Sequence, residues 1–225
     1  MDNIVGKAIS GFIMLIVTMG IFIFLPAWTA NYLQAWLYLL TFAVSTILIT
    51  IYLFKNDQKL LKRRLKAGLT AEKEKSQKTI QAMASVFFCF IYIIAGLDYR
   101  FHWSNIPIYF SLLANIFVIV GFFIVFLVFK ENSYTSAIIE VNKDQKVIST
   151  GMYAIVRHPM YSGAILMMMF SPIALGSYWA LLSVVALIFT IIARLLREEK
   201  FLSENLSGYD EYCEKVPYRL IPFIW

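Results

Sequence analysis

Charge is scarce in this chain. Asp, Glu, Lys and Arg make up 15% of its 225 residues, against 60% hydrophobic and 16% aromatic. With a mean hydropathy of +0.71, that excludes an ordinary soluble domain, in which about a quarter of residues are charged. Cysteine occurs twice: Cys89 in an apolar run and Cys213 in the C-terminal tail. That spacing excludes a disulfide framework or a cysteine metal site, so each reads as a small buried hydrophobe or an incidental thiol. There is no Gly-rich phosphate loop, no His-Glu-x-x-His, no Cys pair and no Gly-x-Ser-x-Gly. Walker-type nucleotide chemistry, zinc proteolysis and serine hydrolysis are thereby set aside, and no metal is expected. The Cys-a-a-X signal is absent as well, so the chain is not expected to be prenylated itself.

Long apolar runs are what the sequence has instead. About 20 apolar residues cross a bilayer, and runs fall at about 8–27, 35–54, 82–97, 107–129, 160–176 and 178–194. The first is too long for a signal-peptide core and lacks a small-residue cleavage site, so it is expected to be retained. The fold expected is all-α and integral to the membrane, with about six transmembrane helices. Three parts are expected: an N-terminal transmembrane hairpin (1–54), a basic interfacial segment (55–81) and a C-terminal core with its tail (82–225).

A net charge of +6 and a pI near 9.2 raise the question of nucleic acid. The basic residues stand beside apolar runs, however, and no binding surface surrounds them, so anionic lipid headgroups are the expected partner and nucleic acid is not. Leu60, Leu61 and Leu65 recur at helical spacing among the charges of 55–78, which predicts an amphipathic helix lying along the interface. With six spans, every Lys and Arg except Arg100 falls on one side. The positive-inside rule then places both termini in the cytoplasm.

Two polar stretches interrupt this pattern on that same side. The first runs from Gly151 to Gly163, with Tyr153, Val156, Arg157, His158, Pro159 and Tyr161. Pro159 is placed to start a helix, which would hold Arg157 and His158 beside unpaired N–H groups at its positive end. The second runs from Arg194 to Pro222, with Glu198, Glu199, Tyr209, Tyr212 and Arg219. Read from the run lengths, Glu198 and Glu199 stand at the exit of the sixth span, against the helix dipole. An Arg194–Glu198 ion pair is one account of them, and ligand binding in a partly desolvated pocket is the other. Met167, Met168 and Met169 read as adaptable filler, or as a soft wall for an apolar chain.

These stretches resemble the isoprenylcysteine carboxyl methyltransferase family and its bacterial relatives. The likeness rests on Arg157-His158-Pro159-x-Tyr161-x-Gly163, on Arg197-Glu198-Glu199, and on the tail with Tyr209, Tyr212, Pro217, Arg219 and Pro222. Earlier pieces agree: Leu60 to Gly68, Ala71-Glu72-Lys73, Glu131 to Tyr134, and Gln145-Lys146-Val147. Met152 departs from the proline usual in the family. The resemblance implies S-adenosylmethionine as cofactor, bound by the cytoplasmic C-terminal half. Tyr153, Val156, Arg157, His158, Pro159 and Tyr161 would line its cavity, while Glu198, Glu199, Tyr209, Tyr212 and Arg219 would close it and touch the reacting group. The expected acceptor is lipidic, foremost a carboxylate of prenylcysteine type oriented by Arg219. A phospholipid amine, which would use Glu198 or Glu199 instead, and a small thiol are the alternative acceptors. Membrane sterol reductases, which bind a nicotinamide cofactor, have C-terminal ends that resemble this tail, and a basic membrane scaffold is the non-enzymatic alternative.

Overall fold

The computed structural model describes residues 4–65, 75–136, 138, 141 and 145–225. Among them are eight α-helices and no strand. They are α1 (Ile4–Ala27), α2 (Leu33–Asn56), α3 (Gln58–Leu65), α4 (Lys75–Phe101), α5 (Ile108–Glu131), α6 (Pro159–Ala174), α7 (Leu181–Asn205) and α8 (Tyr209–Lys215), with a 3-10 turn at Gly151–Ala154. Helices are what an apolar chain must form in lipid, since each backbone group is then satisfied within its own segment.

Among the described residues, four helices are long and apolar enough to cross a membrane: α1, α2, α4 from Gln77, and α5. The fifth and sixth runs differ from the expected pair of simple spans. The helix α6 has 16 residues and Pro172 in its last turn, short for a span. The helix α7 has 25 residues, but its apolar part stops at Arg194 and the helix continues through Arg197, Glu198, Glu199 and Lys200 to Asn205. Glu198 and Glu199 therefore stand inside a helix, not at its exit, and their amides and carbonyls belong to its ladder. The run ends at Arg194 because the environment changes there; the backbone does not.

One core joins the N-terminal hairpin to the rest: Met19 and Ile23 of α1, Tyr38 of α2, Tyr92 of α4, Val118 of α5, Met168 of α6 and Val184 of α7 belong to a single buried cluster. Large apolar side chains on the outer faces stay exposed, among them Met14, Leu40, Phe123 and Phe189. A lipid solvent imposes that pattern. Inside, Tyr38 hydroxyl lies 2.9 Å from Ser171 Oγ and 3.1 Å from Tyr92 hydroxyl, so the buried polar groups satisfy one another. At the far end, buried Asp98 accepts from Ser104 N and Oγ, both at 2.7 Å, and from Ser177 Oγ, tying α4 to the α6–α7 connection.

The glycine of the Tyr161-x-Gly163 element has a packing role. A Cβ on Gly163 would meet Gly121 O at 2.9 Å, and one on Gly121 would meet Gly163 O at 2.7 Å. The two glycines let α5 and α6 touch backbone to backbone, as small residues do in membrane helix pairs. Met167 and Met168 are buried in the core beside this crossing, and the filler reading of the methionines holds for them. Cys89 and Cys213 are free thiols.

The amphipathic helix expected in the basic segment is α3, whose Leu60 and Leu61 are buried. Residues 66–74 lie outside the described residues, as do Glu140, Asn142, Lys143 and Asp144.

Candidate functional site

The entrance of α6 is built as its sequence requires. His158 is the N-cap and Pro159 the first helical residue. The preceding amides find partners in the tail: Arg157 N donates to Tyr218 O and His158 N to Arg219 O, each at 2.9 Å, and Ser162 Oγ donates to Leu220 O at 2.6 Å. The two motif stretches thus lie against each other. Gly151 opens the first with φ +56°, where a Cβ would also crowd the Glu131 side chain at 3.0 Å, so glycine is favoured there.

Glu199 ties the two stretches together. Its Oε1 lies 3.0 Å from Arg157 Nη1 and 3.2 Å from His158 Nε2, and its Oε2 accepts from Arg219 Nε at 2.7 Å. Burial alone would raise the Glu199 pKa. Hydrogen bonds from His158 and Arg219, with the charges of His158 and Arg157, outweigh it and hold the group down at about 2. Arg219 also lies over the Trp225 ring at 5.3 Å.

Beside this cluster opens a cleft with a volume of about 130 Å³. Of the residues expected at a cofactor cavity, Tyr153, Arg157, His158, Pro159, Tyr161, Glu198, Tyr209 and Tyr212 line it. Val156, Glu199 and Arg219 do not. Val156 is buried behind the wall, while Glu199 and Arg219 form the layer that holds Arg157 and His158 in place. Both acids therefore have a position: Glu198 faces the cleft and Glu199 braces it. Tyr161 stands between Glu198 and Arg194, donating to Glu198 Oε2 at 2.6 Å and accepting from Arg194 Nε at 3.2 Å.

Two buried donors in the cleft wall have no partner among the described residues, Arg157 Nε and the Tyr209 hydroxyl. Burial raises the pKa of Tyr153, Tyr209 and Tyr212 above the ordinary tyrosine value, so these phenols stay neutral donors. An orphaned buried donor costs about 1–3 kcal/mol and is retained where a ligand satisfies it. S-adenosylmethionine fits such a wall: a carboxylate for the guanidinium Nε, and an adenine ring and a sulfonium for tyrosine faces. Tyr209→Phe should accordingly raise the thermal midpoint of the ligand-free protein while weakening S-adenosylhomocysteine roughly five- to tenfold by calorimetry. Unchanged affinity would remove Tyr209 from the binding wall.

Gln81 and Ser136 had no motif to announce them, whereas Asn132, Tyr134 and Lys146 fall within the stretches that carry the resemblance. Gln81 of α4 accepts from Arg194 Nη1 at 3.1 Å. Tyr134, Ser136 and Lys146 line the cleft, and Asn132 Nδ2 donates to the Tyr153 hydroxyl at 3.0 Å. Polar residues at an apolar run's edge were the available signal for Gln81, and it does not distinguish a site residue from a solvated one.

Residues 109–208, a little under half of the chain, match the sequence model of the phospholipid methyltransferase family. The chain is similar to methyltransferases. Methanethiol S-methyltransferase of Crocosphaera subtropica is 32% identical over 114 residues, 51% of this chain and 41% of that protein. A Delta(14)-sterol reductase of Mus musculus is 31% identical over 84 residues, 36% of this chain and 20% of that protein. The chain thus spans well under half the length of these curated relatives. The matched family region begins in α5 and holds the α6 entrance, Glu198 and Glu199, while Tyr209, Tyr212 and Arg219 lie beyond it. Both methyltransferase matches support the methyltransferase side of the resemblance without singling out its isoprenylcysteine branch.

Proposed function

We propose that this protein is an S-adenosylmethionine-dependent membrane methyltransferase whose reaction takes place in the cleft between the α6 entrance and the end of α7, on the cytoplasmic face. The observation that carries this reading is the cleft wall itself, with Arg157 and His158 braced by Glu199 and with two unpaired buried donors, in a chain similar to methyltransferases. The cofactor supplies a methyl group on a cationic sulfur, with a neutral thioether as leaving group. The protein's share of the work is positioning and the exclusion of water. Arg157 and Tyr209 would hold the cofactor, Tyr153 and Tyr212 would provide aromatic walls, and Glu199 with Arg219 would keep Arg157 and His158 in register.

The acceptor we propose gives up a proton on methylation, as a phospholipid amine or a small thiol does. This reading is supported by Glu198, the acid within the lining, whose carboxylate would take that proton. The prenylcysteine carboxylate suggested by the sequence resemblance is less well served, since Arg219 is committed to Glu199 behind the wall. Transfer of tritiated methyl from S-adenosylmethionine to phosphatidylethanolamine, methanethiol and farnesylcysteine, each in lipid vesicles, tests this. Label should enter one of the first two, and Glu198→Gln should lower kcat about 100-fold or more with little change in KM for the cofactor. Label entering farnesylcysteine, indifferent to Glu198→Gln, would sink the acceptor assignment. The reductase match favours a second reading, a nicotinamide-dependent reductase, which predicts NADPH binding in the same cleft.

A further inference from the structure

The short helix α3 presents three differently occupied faces. It starts from Asp57, whose Oδ1 accepts from Leu60 N at 2.9 Å, one residue after α2 ends. Leu60 and Leu61 are buried with Leu53 and Phe129, so α3 is fixed at the level where α2 leaves the apolar layer. Lys59 and Lys62 are exposed on its outer side, as is Lys55 on the last turn of α2.

The remaining face reaches the cleft. Arg63 Nη1 donates to Ser133 O at 2.6 Å, with its guanidinium over the Tyr134 ring at 5.6 Å. Arg64 Nη1 donates to Ser136 O at 3.0 Å, lies 3.8 Å from Met160 Sδ, and its guanidinium sits over the Phe129 ring at 5.2 Å. Tyr134, Ser136 and Met160 line the cleft. Five cations therefore fall within residues 55–64, with Asp57 the one acid among them. Two of the five hold a cleft wall by its carbonyls and rings. The other three point outward at headgroup height, where their mutual repulsion works against the helix that carries the clamp.

We infer that α3 is a docking surface for anionic lipid headgroups, and that headgroups gathered by Lys55, Lys59 and Lys62 steady the clamp through which Arg63 and Arg64 hold residues 132–136 against the cleft. Charge complementarity at the membrane surface selects the partner. The two arginine contacts transmit its effect: a lipid that favours the ordered helix also favours the ordered wall, and by linkage a ligand in the cleft would favour lipid binding in return. This surface lies before the region matched by the family model.

The test is backbone hydrogen exchange at residues 133–136 of the intact protein in nanodiscs of phosphatidylcholine, with and without phosphatidylglycerol. Exchange should slow about threefold or more with the anionic lipid, and high salt should abolish the difference. The variant Lys55→Gln/Lys59→Gln/Lys62→Gln should show no slowing. Arg63→Gln, which keeps the lysines and loses the bond to Ser133, should lose most of it. Equal exchange in the two lipids, or slowing retained in the triple lysine variant, would overturn the proposal. So would the same slowing on adding inorganic phosphate to phosphatidylcholine nanodiscs, because the partner would then be a free anion. Cleft ligands are absent from all arms, so the result is independent of the methyltransferase reading.

Discussion

Glu199→Gln should abolish measurable S-adenosylhomocysteine binding and destabilise the protein by several kcal/mol. Glu199 is the shared acceptor of Arg157, His158 and Arg219. Glutamine keeps the shape but removes the charge and turns one oxygen into a donor facing a cation. Breaking a buried ion pair by neutralising one partner costs about 3–5 kcal/mol, because the remaining charges are left uncompensated. The sign of the pH dependence follows from the depressed pKa, which falls from the ordinary 4.5 to about 2. A group whose folded pKa is lowered contributes its full stability above about pH 4.5 and loses it as the pH falls towards 2. The shift corresponds to on the order of 3 kcal/mol. Thermal unfolding in detergent should show the wild type and Glu199→Gln furthest apart above about pH 5, converging on acidification. A constant gap across that window would mean that the Glu199 charge does not hold the cluster.

Gly121→Val is the second large effect, and it acts at a distance from the cleft. A Cβ at residue 121 would lie 2.7 Å from Gly163 O and 2.9 Å from Met167 N. These are backbone atoms in a continuous helix and cannot step aside, so α5 and α6 must separate. Overpacking of this kind costs about 1–3 kcal/mol, and the upper end is expected with a branched side chain. Separation also shifts the α6 entrance, which carries Arg157, His158 and Tyr161, so ligand affinity should fall along with the thermal midpoint. Gly11→Ala supplies the control, since a Cβ there meets nothing within 4 Å and should leave both measurements unchanged. A Gly121→Val protein with wild-type affinity would show that α5–α6 contact does not set the cleft.

How legible all this was in the sequence differs from element to element. The apolar runs mark α1, α2, α4 and α5 because lipid imposes a length and a composition, and Pro159 marks the α6 entrance because its missing N–H fits the first turn. The end of α7 is hidden for the opposite reason. Charged residues from Arg194 onward end the apolar signal while the helix carries on to Asn205, so Glu198 and Glu199 looked like residues at a helix exit. Residue types pointed to both acids alike, but only the helical geometry separates them, turning Glu198 into the cleft and Glu199 back onto Arg157, His158 and Arg219. The packing of α6 on α5 likewise explains Gly163, which the motif alone left without a role. The Arg63 and Arg64 contacts span about 70 residues of sequence, and no local pattern records a pairing of that range.

Calorimetric titration of S-adenosylhomocysteine into the detergent-purified protein, with Arg157→Ala and NADPH in parallel, tests the central claim most directly. The wild type should bind S-adenosylhomocysteine and ignore NADPH, and Arg157→Ala should lose the binding because it removes the cleft's unpaired Nε and one of the cations on Glu199. Binding of NADPH with no response to S-adenosylhomocysteine would contradict the methyltransferase account and leave the reductase reading in its place.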